Sequence, residues 1–486
     1  MPLYKLLLVV YLFLKVHTLF GQNLNTFGLS NSSGIYAVLV NPALGIESIN
    51  CLSINAIGAG INSESNNLRL LFNDPLVQNL TLKFYRDGYN LIEIPYAEYT
   101  GKKNSRIFVQ GQALLPSILW NINPNISVFA YVRERAYGSA YTGSDMSRLY
   151  LHDKIDQKDS KRNFTLDRRD LQYNEMALGS SLVLHNKREM FLAFGYTVKK
   201  LSARKINFQK SNEISYVEND NTVTVNMDYQ VVSTNSKVLT KDMIAHLLLQ
   251  NAPGRGYGFD FGFVFELRPY HLRNTYSVNN PKGKNKSLQQ REKTKYLFKA
   301  HLGINDIGRI NFKGDNVIFD RHYESQARIK IDSLIGTQDA IKFFNNPSPT
   351  TLSTITSETN ELDVFTSASL NIGCDFRLAD RIFVHTLLTK GFQNSNSRYT
   401  PIVPFSISGL FRKEWNKFML GIPYRIVPIS QTYSFGFLAK AGPLFFGTDN
   451  LSSLFLSRVK NFSAYGGIVF NIRCHKSAHI TECPPF

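Results

Sequence analysis

From Gly256 to Arg268 the sequence changes character at every residue. Tyr257, Phe259, Phe261, Phe263, Phe265 and Leu267 take the odd positions, and Gly256, Gly258, Asp260, Gly262, Val264, Glu266 and Arg268 take the even ones. A helix cannot gather residues spaced two apart onto one face, whereas a strand does so automatically. The run is about twice the five or six residues usual for a strand in a soluble sandwich. One face is almost wholly large and aromatic, and the other carries glycines and charges, as in a barrel with lipid outside and a polar interior. Asp260, Glu266 and Arg268 turned toward lipid would each cost several kcal/mol, so they are expected inside.

The same alternation returns along the chain. It is read at Met190 to Lys199, Phe298 to Asn305, Ala368 to Arg377, Phe418 to Ile426 and Tyr465 to Ile472. The tally is about thirteen strands, and because bacterial barrels use an even number the expectation is about 14. The missing strand is sought in Ile214 to Val232 or Ala327 to Ile335. Tight polar turns at 121 to 125, 185 to 188, 379 to 380 and 414 to 416 fall on one side of the sheet. The longer polar segments 141 to 170 and 204 to 254 fall on the other, in the manner of short periplasmic turns and long outer loops. An aromatic share of 13%, with 35 Phe and 24 Tyr against 2 Trp, agrees with a strand-rich chain.

Lys5 precedes an apolar run from Leu6 to Leu14, and Gly21 offers a small residue for cleavage. Residues 1 to 21 therefore read as a signal peptide. Lys15 leaves the run short of the roughly 20 residues that a spanning helix needs, and no Cys follows the apolar core as a lipoprotein would require. Beyond residue 22 no apolar stretch reaches spanning length, and the mean hydropathy is −0.17. That excludes a helical membrane protein but not a barrel, whose strands show lipid only every second residue. The remaining divisions expected are an N-terminal segment at 22 to 47, a barrel at 48 to 473 and a tail at 474 to 486.

The formal charge of +18 raises the question of nucleic acid. The basic residues concentrate in two polar segments, Arg148 to Arg169 and Lys282 to Lys299, without the interleaved aromatics of a single-strand groove. Solvated loops, or contact with anionic lipid head groups, explain them better. Four cysteines are too few for a disulfide scaffold in a chain of 486 residues. Cys474 and Cys483 are read either as a disulfide closing a small loop in an oxidising compartment or as two free thiols. The tail grouping Cys474, His475, His479 and Cys483 has metal-ligand chemistry but lacks the two close pairs of a structural zinc site.

The sequence also carries a family resemblance. Asn41-Pro42-Ala43, after the small and polar run LSNSSGIYAVLV and just before the first strand, resembles the NPA element of FadL-like and PorV-like outer-membrane barrels. The windows GRGYGFDFGFVFELRP, HLGINDIGRI and AGPLFFGTDNLSSLF resemble an uncharacterised family of Bacteroidota outer-membrane proteins, a domain of unknown function. The resemblance covers nearly all of the mature chain. It implies a barrel with periplasmic termini. In FadL-like transporters the N-terminal segment plugs the lumen and hydrophobic substrate leaves through a lateral opening. The resemblance itself brings no established activity. The final aromatic strand usual in such barrels is followed here by a tail in which Pro484 and Pro485 stop Phe486 from continuing a strand.

Fold class is thus expected to be all-β, a transmembrane antiparallel barrel of about 14 strands with a short N-terminal plug-like segment. The candidate functional residues are the NPA element and the charges expected to face the lumen: Glu175, Lys199, Asp260, Glu266, Arg268, Lys299, Asp375, Arg377 and Arg425. Both signs are present, which favours a lumen filled by paired charges over a wide ion-selective pore. No GxSxG elbow is found, and Gly254, Gly256 and Gly258 open an aromatic strand, not a phosphate-binding helix. His271, His301 and His385 are available but carry no motif, so no enzyme activity and no cofactor are expected. Outer-membrane lipid and lipopolysaccharide are the expected surroundings, with another envelope protein as a further partner and no nucleic acid. Two functions are carried forward: FadL-like transport of small hydrophobic molecules, or a non-transporting envelope scaffold or secretion and assembly accessory. A secreted soluble sandwich is a third reading, in which the aromatic face would be buried against a second sheet.

Overall fold

The computed structural model describes residues 24–473 except 47–48, 67, 72–95, 100–103, 143–161, 188, 220–221, 235–251, 270–274, 279–285, 290–295, 314–317, 331–360, 393–398, 416, 429–430 and 457. The expected signal peptide and the C-terminal tail lie outside the described residues.

The alternating segments hydrogen-bond, each to the next, into one closed antiparallel ring of 14 strands. Its first half is β1 (Asn50–Ser65), β2 (Ser105–Leu114 and Ser117–Asn123), β3 (Ile126–Thr142), β4 (Leu166–Lys187), β5 (Met190–Asn219), β6 (Thr222–Thr234 and Gly254–Leu267) and β7 (Phe298–Lys313, continued by Ile318–Lys330). Its second half is β8 (Glu361–Phe365 and Ser369–Ala379), β9 (Ile382–Gly391), β10 (Ser406–Glu414), β11 (Phe418–Val427), β12 (Thr432–Phe435 and Phe437–Ala441), β13 (Leu444–Thr448) and β14 (Asn461–Arg473). Closure comes from β1 pairing with β14, with Asn50 opposite Arg473 at one end of the seam and Glu64 opposite Asn461 at the other.

Both ends of the barrel chain therefore meet at one rim, called the near rim here. Short connections after Asn123, Lys187, Ala379, Glu414 and Ala441 lie there, and Gly442 makes its turn in the left-handed region with φ of 57°. The exception is the connection 268–297. It leaves and returns at the near rim, where the Arg268 amide donates to Glu189 O and the Arg377 amide donates to Leu297 O. The connection that carries the second basic segment thus starts and ends on the short-turn side, against the simple division of short turns from long loops.

The opposite, far rim departs from expectation in another way. β4 begins at Leu166, inside the expected loop 141 to 170, and β5 continues to Asn219, inside the expected loop 204 to 254. At about 3.3 Å per residue, the 30 residues of β5 reach on the order of 100 Å, several times the 9–11 residues needed to cross a bilayer. The described parts of the two windows searched for a missing strand lie in this extension. Thr222–Thr234 pairs with the upper part of β5, and Ile318–Lys330 pairs with Thr222–Thr234. They lengthen β6 and β7 beyond the rim and add no strand to the ring.

Side-chain faces follow from the pleat. On β6 Phe259, Phe261 and Phe263 are 42%, 41% and 45% exposed, while Gly258, Asp260, Gly262 and Val264 are buried. Trp120, Leu302, Ile372, Phe376, Phe411, Leu420, Ile422 and Phe446 are exposed on the outside of the other strands. No second layer covers these rings among the described residues, which removes the sandwich reading. The buried apolar residues lie within the cylinder, in two clusters. One joins Leu24, Phe27, Ile35 and Tyr36 of the N-terminal segment to Leu114, Phe129, Val264, Leu410 and Phe445 of the wall. The other, toward the far rim, contains Tyr173, Leu201, Ile206, Phe208, Ile310 and Phe312.

Cys51 is disulfide-bonded and Cys374 is a free thiol. The Cys474–Cys483 pair lies outside the described residues.

Candidate functional site

The N-terminal segment enters the barrel and fills it. α1 (Leu24–Gly28), α2 (Ile35–Val40) and a 3-10 turn (Pro42–Gly45) are almost entirely buried. These helices are too short to persist alone in water, so the wall must hold them. Phe27 stacks on Phe445 with centroids 3.9 Å apart, and Tyr36 meets both rings edge-on. Tyr36 Oη donates to Asn55 Oδ1 at 2.5 Å, and the Asn55 amide donates to the Leu114 and Leu115 carbonyls, so the polar end of this ring is satisfied within the wall.

The NPA element is the seat of this plug. Asn41 Oδ1 accepts from the Ala43 amide at 2.9 Å and so caps the 3-10 turn, where Pro42 has no N–H to leave unpaired. Asn41 Nδ2 donates to Phe263 O at 3.1 Å and Leu302 O at 3.0 Å, carbonyls of β6 and β7. Pro42 O accepts from Ser181 Oγ at 2.7 Å, and Asn305 Nδ2 donates to Val40 O at 2.8 Å. Backbone can come this close because the wall presents a row of glycines. Gly195, Gly262 and Gly303 stand opposite one another on β5, β6 and β7. A Cβ at Gly262 would lie 1.8 Å from Asn41 Oδ1, and one at Gly195 would lie 2.3 Å from the Ala43 amide nitrogen. Glycine is required at both for this approach.

Around the plug, charges form two balanced groups. In the first, Arg133, Arg135 and Lys199 meet Glu175, Asp260 and Asp306. Arg133 Nη2 is 2.6 Å from Glu175 Oε2, Arg135 Nη1 is 2.8 Å from Glu175 Oε1 and 2.6 Å from Asp306 Oδ1, and Lys199 Nζ is 2.7 Å from Asp260 Oδ1 and 2.6 Å from Asp306 Oδ1. In the second, nearer the short turns, Arg412 Nη2 is 2.6 Å from Asp375 Oδ2, and Arg412 Nε is 2.6 Å from Glu414 Oε1. Lys299 Nζ is 3.9 Å from Asp375 Oδ2, Tyr296 Oη donates to that oxygen at 2.7 Å, and the Asn31 amide N–H donates to Glu414 Oε1 at 3.0 Å. His301 Nε2 and His385 Nε2 are 3.1 Å apart beside this group. Mutual pairing lets these ions remain buried, because a lone charge in such surroundings would be expelled or neutralised.

Of the nine charges singled out from the sequence, Glu175, Lys199, Asp260, Glu266, Lys299 and Asp375 are buried in the interior. Glu266 pairs at the near rim with Arg268, whose guanidinium lies 3.5 Å from the Phe191 ring centroid. Arg377 pairs with Asp380 in the 380–381 turn, so it belongs to the rim. Arg425 lies on the far side and pairs with Glu64 at 2.6 Å. Asp449, just past β13, accepts from Thr26 Oγ1 of the plug at 3.1 Å, and burial pushes its carboxyl up to about 6.

Several members were not singled out from the sequence. Arg133 and Arg135 share the inner face of β3 with Phe129, Tyr131 and Tyr137, so hydrophobicity did not mark that face as interior. Asp306 should face outward by parity from Asn305. A bulge opposite Phe259 and Phe261 gives it φ of 63° and turns it inward. Arg412 and Glu414 lie on β10, where only the weak alternation Ser406, Ser408, Leu410 could have pointed to them.

The interior leaves little room. A cavity of about 40 Å³ lies between the plug and the far rim, lined by Gln110, Gln112, Arg133, Arg135, Asn305, Ser406 and Ser408 among others. Its lining is polar, and no apolar tunnel passes the plug among the described residues.

Residues 42–449 match the family of unknown function DUF5723, beginning at the proline of the NPA element. The chain belongs to DUF5723. No curated protein matches it. Among solved structures, this DUF5723 chain is similar to the toluene transporter TodX of Pseudomonas putida, at 11% identity over 94% of this chain and 100% of that one, with a TM-score of 0.39. It is also similar to the toluene transporter TbuX of Ralstonia pickettii, at 7% identity over 94% and 100%, with a TM-score of 0.32, and to the monoaromatic hydrocarbon channel CymD, at 9% identity over 94% and 98%, with a TM-score of 0.35. Likeness at this level carries no argument about the substrate of the DUF5723 chain.

Proposed function

We propose that this protein is an outer-membrane barrel with a sealed lumen, and that it acts as an envelope scaffold or assembly accessory whose working surface is its far rim. The carrying observation is the interior. A plug seated on three strands, two neutral charge groups and a small polar cavity occupy the space that a conduit for hydrophobic molecules would keep apolar and continuous. The belt of exposed aromatic and aliphatic side chains supports immersion in lipid, since a contiguous apolar surface of this extent in water would drive aggregation. Outer-membrane lipid and lipopolysaccharide are then its surroundings, the near rim faces the periplasm and the extended far strands reach outward to an envelope partner.

Fractionation with heat-modifiable gel mobility tests location: the protein should partition with the outer membrane, and recovery in the soluble periplasm would overturn the reading. Vesicles carrying the purified protein should take up toluene no faster than empty vesicles, while crosslinking in cells should capture a stoichiometric envelope protein. Faster uptake with no captured protein would instead support FadL-like transport of small hydrophobic molecules, with the plug leaving its seat.

A further inference from the structure

The cavity above the plug is lined largely by buried polar side chains, and several of their hydrogen-bonding atoms converge on it without a partner. Gln110 is 2% exposed, and neither its Oε1 nor its Nε2 is bonded. Asn305 Oδ1, Asn25 Oδ1 and Arg135 Nε are likewise unpartnered around the same space. A buried unsatisfied donor or acceptor costs about 1–3 kcal/mol, so several converging on one cavity call for an occupant.

The enclosure is two-sided. Its floor is the plug, through Asn25, Thr26 and Leu39. Its roof is a strap, residues 399–404, that leaves the far rim and folds across the mouth. Ser367 Oγ donates to Pro401 O at 2.9 Å, the Ile402 amide donates to Ser139 Oγ at 3.2 Å, Arg169 Nη1 donates to Thr400 O at 3.2 Å, and Tyr399 packs edge-on against Phe208. These few contacts reach strands on both sides of the ring.

We infer that this chamber is a binding site for a small, uncharged polyhydroxy molecule, admitted from the far rim beneath the strap. The free atoms include both donors and acceptors, and a hydroxyl group serves either. Charge is already balanced around the space. Arg133, Arg135, Lys199 and Arg425 are matched by Glu175, Asp260, Asp306 and Glu64, so an ion gains no counter-charge there. Tyr137, Leu387 and Val403 offer a modest apolar surface to the C–H face of such a ligand. A volume of about 40 Å³ holds roughly three water-sized probes, which limits the occupant to the smallest polyols. The inference stands on the cavity and goes beyond the scaffold reading.

The test uses the full-length protein in a detergent without a sugar head group, with glycerol as the probe and saturation-transfer NMR as the readout. Glycerol should give a saturable signal, and acetate and tetramethylammonium should give none. Gln110→Leu should weaken glycerol binding by about tenfold, the loss expected when one buried polar partner is removed. Heat-modifiable mobility checks that the variant folds, and Ser408→Ala, a smaller change in the same lining, should weaken binding if Gln110→Leu does not fold. Absence of a saturable glycerol signal would mean trapped water only and would overturn the inference. So would glycerol binding unchanged in a folded Gln110→Leu or Ser408→Ala protein, or equal binding of the two ions.

Discussion

Arg412 is among the largest fully buried side chains of the molecule, and its guanidinium is held by Asp375, Glu414 and the face of Phe383. Removing one partner strands the other, which for a buried pair costs about 3–5 kcal/mol, whereas replacing both by apolar groups of similar volume is often neutral. Asp375→Asn should therefore lower the guanidinium midpoint of the barrel in micelles markedly, and Asp375→Leu combined with Arg412→Met should recover part of the loss, since Glu414 then loses Arg412 but keeps the Asn31 amide N–H. Equal losses in the single and double variants would show that the pair is not acting as a unit. Individual residues of this kind were the least legible part of the sequence. Period two places Asp260 and Lys199 correctly because their neighbours are plainly apolar. It fails at Asp306, where one bulged residue reverses the parity, and at Arg133 and Arg135, where both faces of the strand are apolar.

At the scale of elements, the plug depends on close backbone approach. Gly262→Ala puts a methyl group where Asn41 Oδ1 now sits, and overpacking of this kind costs about 1–3 kcal/mol. The expected outcome is faster proteolysis within residues 24–45 while the barrel keeps its heat-modifiable mobility. Asp449 supplies a second check. Its carboxyl is raised to about 6 by burial, with Arg425 and Glu64 as its charged neighbours, so the folded state prefers the protonated form. Stability from this group is complete below the unfolded value near 4, falls as pH rises to about 6 and is level above that. Asp449→Asn, which keeps an acceptor for Thr26, should flatten that slope and stabilise the protein at neutral pH by up to about 3 kcal/mol. A pH profile of thermal unfolding in detergent reads both effects, and an unchanged slope would contradict them. The strands themselves were readable from alternation. The plug was signalled by the NPA resemblance, because Ile35 to Val40 is apolar throughout and has no periodicity to interpret.

At the scale of the whole molecule, fourteen strands return the chain to its starting rim, and the even number follows from that antiparallel closure. The length of the far strands was not legible, because Leu166–Arg169 and Arg204–Asn219 are rich in charged and polar residues, with only scattered apolar ones such as Ile206 and Phe208, and read as loop until a neighbouring strand is present. Cys51 lies in the closing seam, one residue from the Asn50–Arg473 pair. Peptide mapping without reduction should recover the Cys51 peptide joined to a C-terminal peptide containing Cys474 or Cys483, and a Cys51 peptide migrating alone would refute that pairing.

The glycine seat has a further consequence, for the order of events during biogenesis. Its three members come from positions 195, 262 and 303, all translated long after Asn41. The plug must therefore wait, undocked, until the middle of the wall exists, and its arrival reports that those three staves stand side by side in correct register.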